Sequence, residues 1–473
     1  MASKNVSFDS IPSSIRKPGK YIEFNTRLAV RTLPANLQRM LILGQISTTG
    51  GTVAAGVVTK VFSDADAATY FGSGSQAHRM VKAAITANPY LDLSVLSLAD
   101  GTTAQTWTVT IANAATRSGS IKLYIGNDMV ETAVALNDAA TAIAAAINAS
   151  LGQRPELPVS AAVVDNVVTL TAKTRGTIAT ECDMGYEIVG VTATTVTIAA
   201  AVAGAVNPAV NTALALVAGE QYDVIVSPFN ASADLDYLKT HLDTVSGPME
   251  QRPGVGIAAS DGVLATVTTL AAGRNSGRLL LAYLRGTRSP SYEIAAAMGA
   301  VIAGEEDPAV PLNTLELKGI HAPAVTSRFT RTEQESCLHN GTTPLEVGPG
   351  EKVQIVRAVT TYVKDANNID DISLLDITTI RTLDYVRKAI RERIALRFPR
   401  AKLSTKTAPR VKTEIMDVLL KLEDLEIVEE VEANRAGVIV ERDLQDPNRL
   451  NAKIPADVVN GLHVFAGRID LLL

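Results

Sequence analysis

Aromatic side chains are scarce in this chain. Phe, Tyr and Trp make up 4% of its 473 residues, and Trp107 is the one tryptophan. Hydrophobic residues nonetheless reach 47%, so the cores are expected to be built from Ala, Val, Leu and Ile. At roughly 100–200 residues per domain, the length accommodates several domains. Cysteine is nearly absent as well. Cys182 and Cys337 cannot staple a chain of this length, which excludes a disulfide-built scaffold and suits synthesis in the cytosol. The opening MASKNVSFDSIPSSIRKPGK has no apolar stretch behind its basic residues, so no signal peptide is expected.

Catalytic signatures are missing too. There is no G-x-x-x-x-G-K-[ST] phosphate loop, no G-x-S-x-G elbow and no H-E-x-x-H. The histidines, His78, His241, His321, His339 and His463, are scattered. Only His339 lies near a cysteine, in CLH with Cys337. A metal centre needs three or four ligands, so CLH reads as part of a helix end. GSGSQA (Gly72 to Ala77) matches G-x-G-x-x-A, but its glycines follow a helical segment ending in TYFG and not a strand, so it reads as a turn between helices. The sequence offers no catalytic residue, no metal ligand set and no cofactor site.

Charge is balanced overall, at −5, but unevenly distributed. Residues 1–40 carry seven basic and two acidic side chains, residues 381–412 eleven and two, and residues 413–432 one and eight. Adjacent blocks of opposite sign suit a protein that binds copies of itself, and the compensation argues against a nucleic-acid surface. Between Glu187 and Glu220 no residue is charged, yet this stretch is rich in Thr and Ala and holds Asn207, Pro208 and Asn211. It reads as a β segment followed by a linker, with no membrane span.

Along the chain, residues 1–38 read as an arm, with Pro12, Pro18, Gly19 and Pro34 breaking any regular period. Inside it, KYIEFNTRLAV could form a strand through Tyr21, Ile22, Phe24, Leu28 and Val30, but no second strand lies nearby in sequence. A lone strand must pair with a distant segment or another chain. Residues 39–100 and 208–366 alternate strand and helix and form a discontinuous α/β core. RMLILGQI and LDLSVLSLA are buried strands, with a helix–turn–helix between Ser63 and Asn88. YDVIVSPF resumes the alternation, and TPLEVGPGEKVQIVRAVTTYV is a hairpin around Gly348-Pro349-Gly350.

Residues 101–207 change character. TWTVTIA, SIKLYIG and VVTLTA alternate with period 2, and Ile143 and Ile147 share a helical face, so an inserted β-rich domain is expected. The insert is expected on the outer surface of any assembly. Residues 367–473 read as a C-terminal α+β domain. A long helix from Ile372 to Phe398 buries Ile380, Leu383, Val386, Ile390 and Ile394, and a second follows Pro409. GVIVERD, LNAKIPA and LHVFAGRIDLLL are its strands. The class is thus α/β, or α+β multi-domain, with extended N- and C-terminal arms.

These residues resemble a family. FDSIPSSIRKPGKYIEFNTRLAVRTLPANLQRMLILGQ, AATYFGSGSQAHRMVKAAITANPYLDLSVLSLAD, and the ending from TTIRTLDYVRKAIRERI through RDLQDPNRLNAKIPADVVNGLHVFAGRIDLLL resemble tail sheath proteins of Mu-like contractile-tailed bacteriophages. The resemblance covers both ends and most of the α/β part; the insert matches only in type. It implies a structural subunit with no enzymatic activity or cofactor, polymerising as stacked hexameric rings in a helical tube around the tail tube. Contraction of that tube drives the tail tube through the host cell envelope. It implies tail tube, baseplate and tail terminator proteins as partners, the virion as location, and the host cytoplasm during assembly. It also implies that chain ends add strands to neighbours, through Tyr21, Ile22, Phe24, Leu28 and Val30 at one end and Leu462, Val464, Ile469 and Leu471 at the other. Two other readings are an α/β enzyme with an unrecognised active site, and a tail tube or baseplate subunit. The α/β pattern argues against the second.

Overall fold

A computed structural model describes residues 17–20, 33, 36–47 and 49–471. Two compact units result, one of residues 36–385 with 458–471 and one that includes 386–457.

The larger unit opens with β1 (Arg39–Gln45), β2 (Val58–Lys60), α1 (Asp64–Phe71), α2 (Gln76–Ala87) and β3 (Asp92–Leu98). The chain then leaves for β4 (Thr106–Ala112), β5 (Gly119–Ile125), β6 (Asp128–Val134), α3 (Ala140–Gly152), β7 (Val159–Val164), β8 (Val167–Ala172), β9 (Met184–Val189) and β10 (Thr195–Val202). It returns through α4 (Val210–Val217), β11 (Val224–Val226), α5 (Ser232–Val245), β12 (Val255–Ser260), α6 (Leu264–Arg274), β13 (Leu279–Tyr283), α7 (Ser291–Gly304), α8 (Arg331–His339), β14 (Thr343–Gly348) and β15 (Lys352–Ile355). The stretch expected as a linker before β11 contains a helix, α4, which buries Val210, Ala213, Leu214 and Val217. Its Ala and Leu content favours helix once Pro208 is behind it.

The main sheet has the order β15-β14-β13-β12-β11-β1-β3-β2. Its pairs from β3 through β1, β11, β12 and β13 to β14 are parallel, while β2 and β15 run antiparallel at the edges. The parallel strands read as continuous apolar runs because helices cover both faces. β13 is buried at every position, and β1 at every position but its first. Small residues let helices approach closely. A Cβ on Gly299 of α7 would meet Val226 Cγ2 at 2.5 Å, and one on Gly44 of β1 would meet Ala77 Cβ at 2.7 Å.

Residues 106–202 form two antiparallel sheets, β10-β4-β8-β7 and β6-β5-β9. They enclose a separate core of Trp107, Val109, Ile111, Ile121, Leu123, Ile143, Ile147 and their neighbours. The two connecting segments meet at an antiparallel bridge between Thr103 and Ala205.

The remaining elements are α9 (Ile377–Arg397), α10 (Thr407–Asp424), β16 (Val428–Glu429), β17 (Ile439–Arg442), β18 (Leu450–Lys453) and β19 (Asp457–Val458), with the division between units falling inside α9. α9 starts five residues later than its apolar pattern predicts, because Asp371 turns the preceding segment by accepting from Ser373 N at 2.9 Å. α10 starts before Pro409, which sits in its first turn where no N–H is needed. In α9 Ile380 and Val386 are buried, whereas Leu383, Ile390 and Ile394 are only half-buried, and Arg393 is buried instead.

Candidate functional site

In an open parallel sheet, ligands bind at the carboxyl ends of the strands where the strand order reverses. Here the reversal lies between β1 and β11, since β3 follows β1 on one side and β11 to β14 continue on the other. The end of β1 is Gln45, whose Nε2 donates to Asp100 Oδ1 at 2.8 Å and to the Arg175 carbonyl. Its N–H donates to Gln76 Oε1 at 3.1 Å. Ile178, from the β-rich insert, is part of the main hydrophobic core. The place where an enzyme of this architecture would hold its substrate is therefore occupied by the chain itself. A small cavity beside it, lined by Gln76, Trp107, Thr174, Cys182 and Tyr292, has room for about one water.

Next to this plug lies a buried ionic cluster. Arg79 of α2 donates from Nε to Glu293 Oε1 of α7 at 2.6 Å and from Nη1 to Asp128 Oδ2 of β6 at 2.5 Å. Arg79 is 5% exposed and Glu293 4%. Asn127 Nδ2 donates to the other Glu293 oxygen at 2.9 Å, and Ser289 Oγ donates to Asn127 Oδ1 at 2.6 Å. Burial alone would lower the Arg79 pKa, but Glu293, Tyr292 and Asp128 hold it well above its ordinary value. The cluster is a fixed charge clamp between insert and α/β core. Arg288, 3.8 Å over the Tyr124 ring, adds a second contact.

Nothing nearby is a poised nucleophile. Burial pushes the Cys182 thiol up to about 12 and the Cys337 thiol up to about 11, so neither is a thiolate at neutral pH. No group of three His, Cys, Asp or Glu among the described residues could hold a metal. His339 is exposed at the end of α8. The glycines of GSGSQA close α1 and precede α2, whose N-cap is Ser75. A Cβ on Gly74 would lie 2.1 Å from the Leu157 carbonyl oxygen, so that glycine serves packing of the insert.

Glu181, at the junction, accepts from Ser291 N at 3.2 Å and from Ser291 Oγ at the start of α7. Burial pushes its carboxyl up to about 8, with Asp261 adding to the shift and the Ser291 hydrogen bonds opposing it. The folded protein thus holds a proton that the unfolded chain releases near 4.5. Stability from this group is full below about 4.5 and is lost as pH rises towards 8. Glu181→Gln is expected to raise the unfolding free energy at pH 8–9 by on the order of a few kcal/mol, seen as a higher denaturant midpoint, and to change little at pH 4.5. Equal midpoints for both proteins at pH 9 would refute this.

The basic and acidic blocks partly neutralise each other within the chain. Arg393 of α9 lies 3.0 Å from Asp417 and 3.4 Å from Glu414 of α10, and Arg397 lies 3.4 Å from Glu414. Arg381 is buried, donating to the Glu305 carbonyl, and burial lowers its pKa to about 10. The self-association argument drawn from charge alone is therefore weaker than the sequence suggested.

The terminal segments carry the remaining sequence expectations. Tyr21, Ile22, Phe24, Leu28 and Val30 lie outside the described residues. Leu462, Val464, Ile469 and Leu471 all project from an extended tail, at 80%, 77%, 98% and 83% exposure. Phe465, at 88%, joins them and was not singled out by alternation. Among the described residues the tail beyond Val458 has no strand partner. Among the described residues β17 and β18 form a two-stranded hairpin, Ile439 pairing with Lys453 through Arg442 with Leu450. The charge clamp was missed as well. Its sequence signal is Glu293, the only charge in the Ala-rich helix SYEIAAAMGAVIAG.

The described residues thus combine a sheet end filled by the chain's own insert with a tail that exposes its apolar side chains. Family comparison supplies the class. Residues 203–361 match the phage tail sheath protein central domain and residues 370–471 the phage tail sheath C-terminal domain. The chain is 33% identical to the Mu-like prophage FluMu tail sheath protein of Haemophilus influenzae, over 99% of this chain and 100% of that one. This chain belongs to the phage tail sheath protein family, a structural family of the virion tail and not an enzyme family. Its fold is similar to sheath tail proteins of Desulfitobacterium hafniense (TM-score 0.52, 14% identity, 94% of this chain and 97% of that one) and Listeria innocua (TM-score 0.51, 14% identity, 91% and 94%). A chain in a six-fold symmetrised anti-feeding prophage baseplate has a similar fold, with TM-score 0.50, 13% identity and 97% and 100% coverage. No helix among the described residues is long and apolar enough to cross a membrane.

Proposed function

We propose that this subunit polymerises as stacked hexameric rings around the tail tube, and that shortening of this sheath drives the tube through the host cell envelope. Residues 39–100 with 208–366 serve as the α/β body, 101–207 as an insert on the outer surface, and 367–473 as the domain that joins neighbours. The tail tube, baseplate and tail terminator proteins are its partners in the virion, and assembly takes place in the host cytoplasm. The six-fold symmetry of the baseplate assembly above supports the ring number.

The observation that carries this reading is the exposed apolar tail, which has no strand partner among the described residues and which a two-stranded hairpin such as that of β17 and β18 in another copy could accept. Two-stranded sheets are marginal alone, and an added strand supplies backbone hydrogen bonds largely regardless of sequence. Leu462, Val464, Ile469 and Leu471 of one copy, and Tyr21, Ile22, Phe24, Leu28 and Val30 of another, would complete the sheet around β17 and β18. A contact between unlike surfaces that does not close generates a helical tube. The work of shortening comes from new contacts between subunits, in keeping with the missing phosphate loop.

Negative-stain microscopy of the purified protein tests this. Hollow, helically striated tubes are expected. A protein that stays monomeric at high concentration would overturn it.

A further inference from the structure

Between Asn460 and Leu471 only Gly461 and His463 are not exposed. His463 is 15% exposed by side chain and enters a polar socket on its own unit. Its Nδ1 lies 2.9 Å from Asn313 Nδ2, and its Nε2 lies 3.5 Å from Asp376 Oδ1. The socket is rigid. Arg357 donates to Asp376 through Nε at 2.8 Å and Nη2 at 2.7 Å. Thr314 N, next to Asn313, donates to the Ile355 carbonyl at 2.8 Å. Gly461 lies flat against this surface, since a Cβ there would come within 2.4 Å of Pro311 Cγ. Leu462 and Val464, on either side of His463, remain exposed.

We infer that Gly461 and neutral His463 moor the root of the C-terminal tail on its own subunit, leaving residues 464–471 free to reach a second copy of this chain, and that acid releases the mooring. The partner in this inference rests on the function proposed above; the mooring itself does not. The neutral ring fits the socket. Nδ1 accepts from the Asn313 amide, and the tautomer this requires points Nε2–H towards Asp376. Protonation places a second N–H on Nδ1, so the Asn313 amide must turn its oxygen to the ring, and the resulting half-buried cation faces the Arg357 guanidinium. The charged groups around the ring are Asp376 ahead of α9 and Arg357 after β15, with Glu335 of α8 acting on Arg357. Burial lowers the His463 pKa and Arg357 lowers it further, while Asp376 opposes both. Mooring is therefore full above the free imidazole value of 6.5 and weakens as pH falls below it.

A spin label on Leu462→Cys of the full-length soluble subunit reads this directly, since Leu462 is exposed next to His463 and Cys182 and Cys337 are buried. At pH 8 the label is expected to be immobilised when His463 is present and to lose most of its immobilised component in His463→Ala, with an unchanged melting temperature. With His463 in place the mobile component is expected to grow between pH 8 and pH 5.5, and with His463→Phe to be the same at both. Equal spectra with His463 and with His463→Ala overturn the mooring. A mobile component that does not change with pH when His463 is present overturns its neutral-ring basis. Because the label is read on the soluble subunit, the result stands whether or not the same preparation forms tubes under the microscope.

Discussion

Deleting residues 1–30 is expected to leave a soluble, folded subunit that no longer forms tubes. The main hydrophobic core has Met40 as its first described member. The arm's apolar residues Tyr21, Ile22, Phe24, Leu28 and Val30 have no hairpin partner in sequence, because Pro34 and Asn36 lead directly into β1. The hairpin of β17 and β18 offers strand edges that an arm from another copy could fill. Each backbone hydrogen bond so formed contributes about 0.5–1.5 kcal/mol net, so a strand of this length makes a firm link. The arm is basic, with seven Lys/Arg against two Asp/Glu up to residue 40. The acidic block retains Asp424, Glu426, Glu429, Glu430 and Glu432 beyond the side chains that α9 pairs, which could steer the arm within about 10 Å at 0.1 M salt. Microscopy and a thermal melt decide the matter. Tubes from the truncated chain would show that the arm is not the link. A large fall in melting temperature would show that the arm pairs within its own subunit.

Arg79→Met is expected to destabilise the larger unit by about 3–5 kcal/mol, because it leaves the Glu293 and Asp128 carboxylates buried without their shared cation. Replacing Arg79, Glu293 and Asp128 together by Met, Leu and Asn is expected to recover most of that loss. The contrast separates the penalty of orphaned charge from the net worth of the clamp. Denaturant titration followed by tryptophan fluorescence suits the measurement, since Trp107 sits in the insert core. A loss below about 1 kcal/mol for Arg79→Met would mean that water reaches the cluster and the clamp is not buried in solution. The clamp also bears on the insert. Cutting out 101–207 removes Ile178 from the main core, Asn127 and Asp128 from their bonds to Glu293 and Arg79, and the Arg175 carbonyl from Gln45, so a clean excision needs the exposed face of the body repaired.

Much of the fold is legible in the residues. RMLILGQ, VGIAAS and LLLAY are continuous apolar runs because both faces of their sheet are covered, and TWTVTIA alternates because only one face of its sheet is. The turn between α1 and α2 follows from glycines behind a helical segment. The charge-free stretch before β11 misled because its Thr and Ala residues fit β10 and α4 equally well, and periodicity over so few residues does not separate them.

By itself, the sequence determined the strand–helix alternation of the α/β part and the period-2 strands of the β-rich part, because both depend on local patterning, and the structural role followed from the resemblance of its long segments to a family. Tertiary structure decided the rest. It closed the ligand crevice with Arg175 and Ile178, joined Arg79, Asp128 and Glu293 from three distant elements, and turned His463 into its socket while leaving Leu462 and Val464 exposed. Burial and long-range pairing set the energy of a charge or an imidazole, and neither is encoded in the spacing of neighbours along the chain.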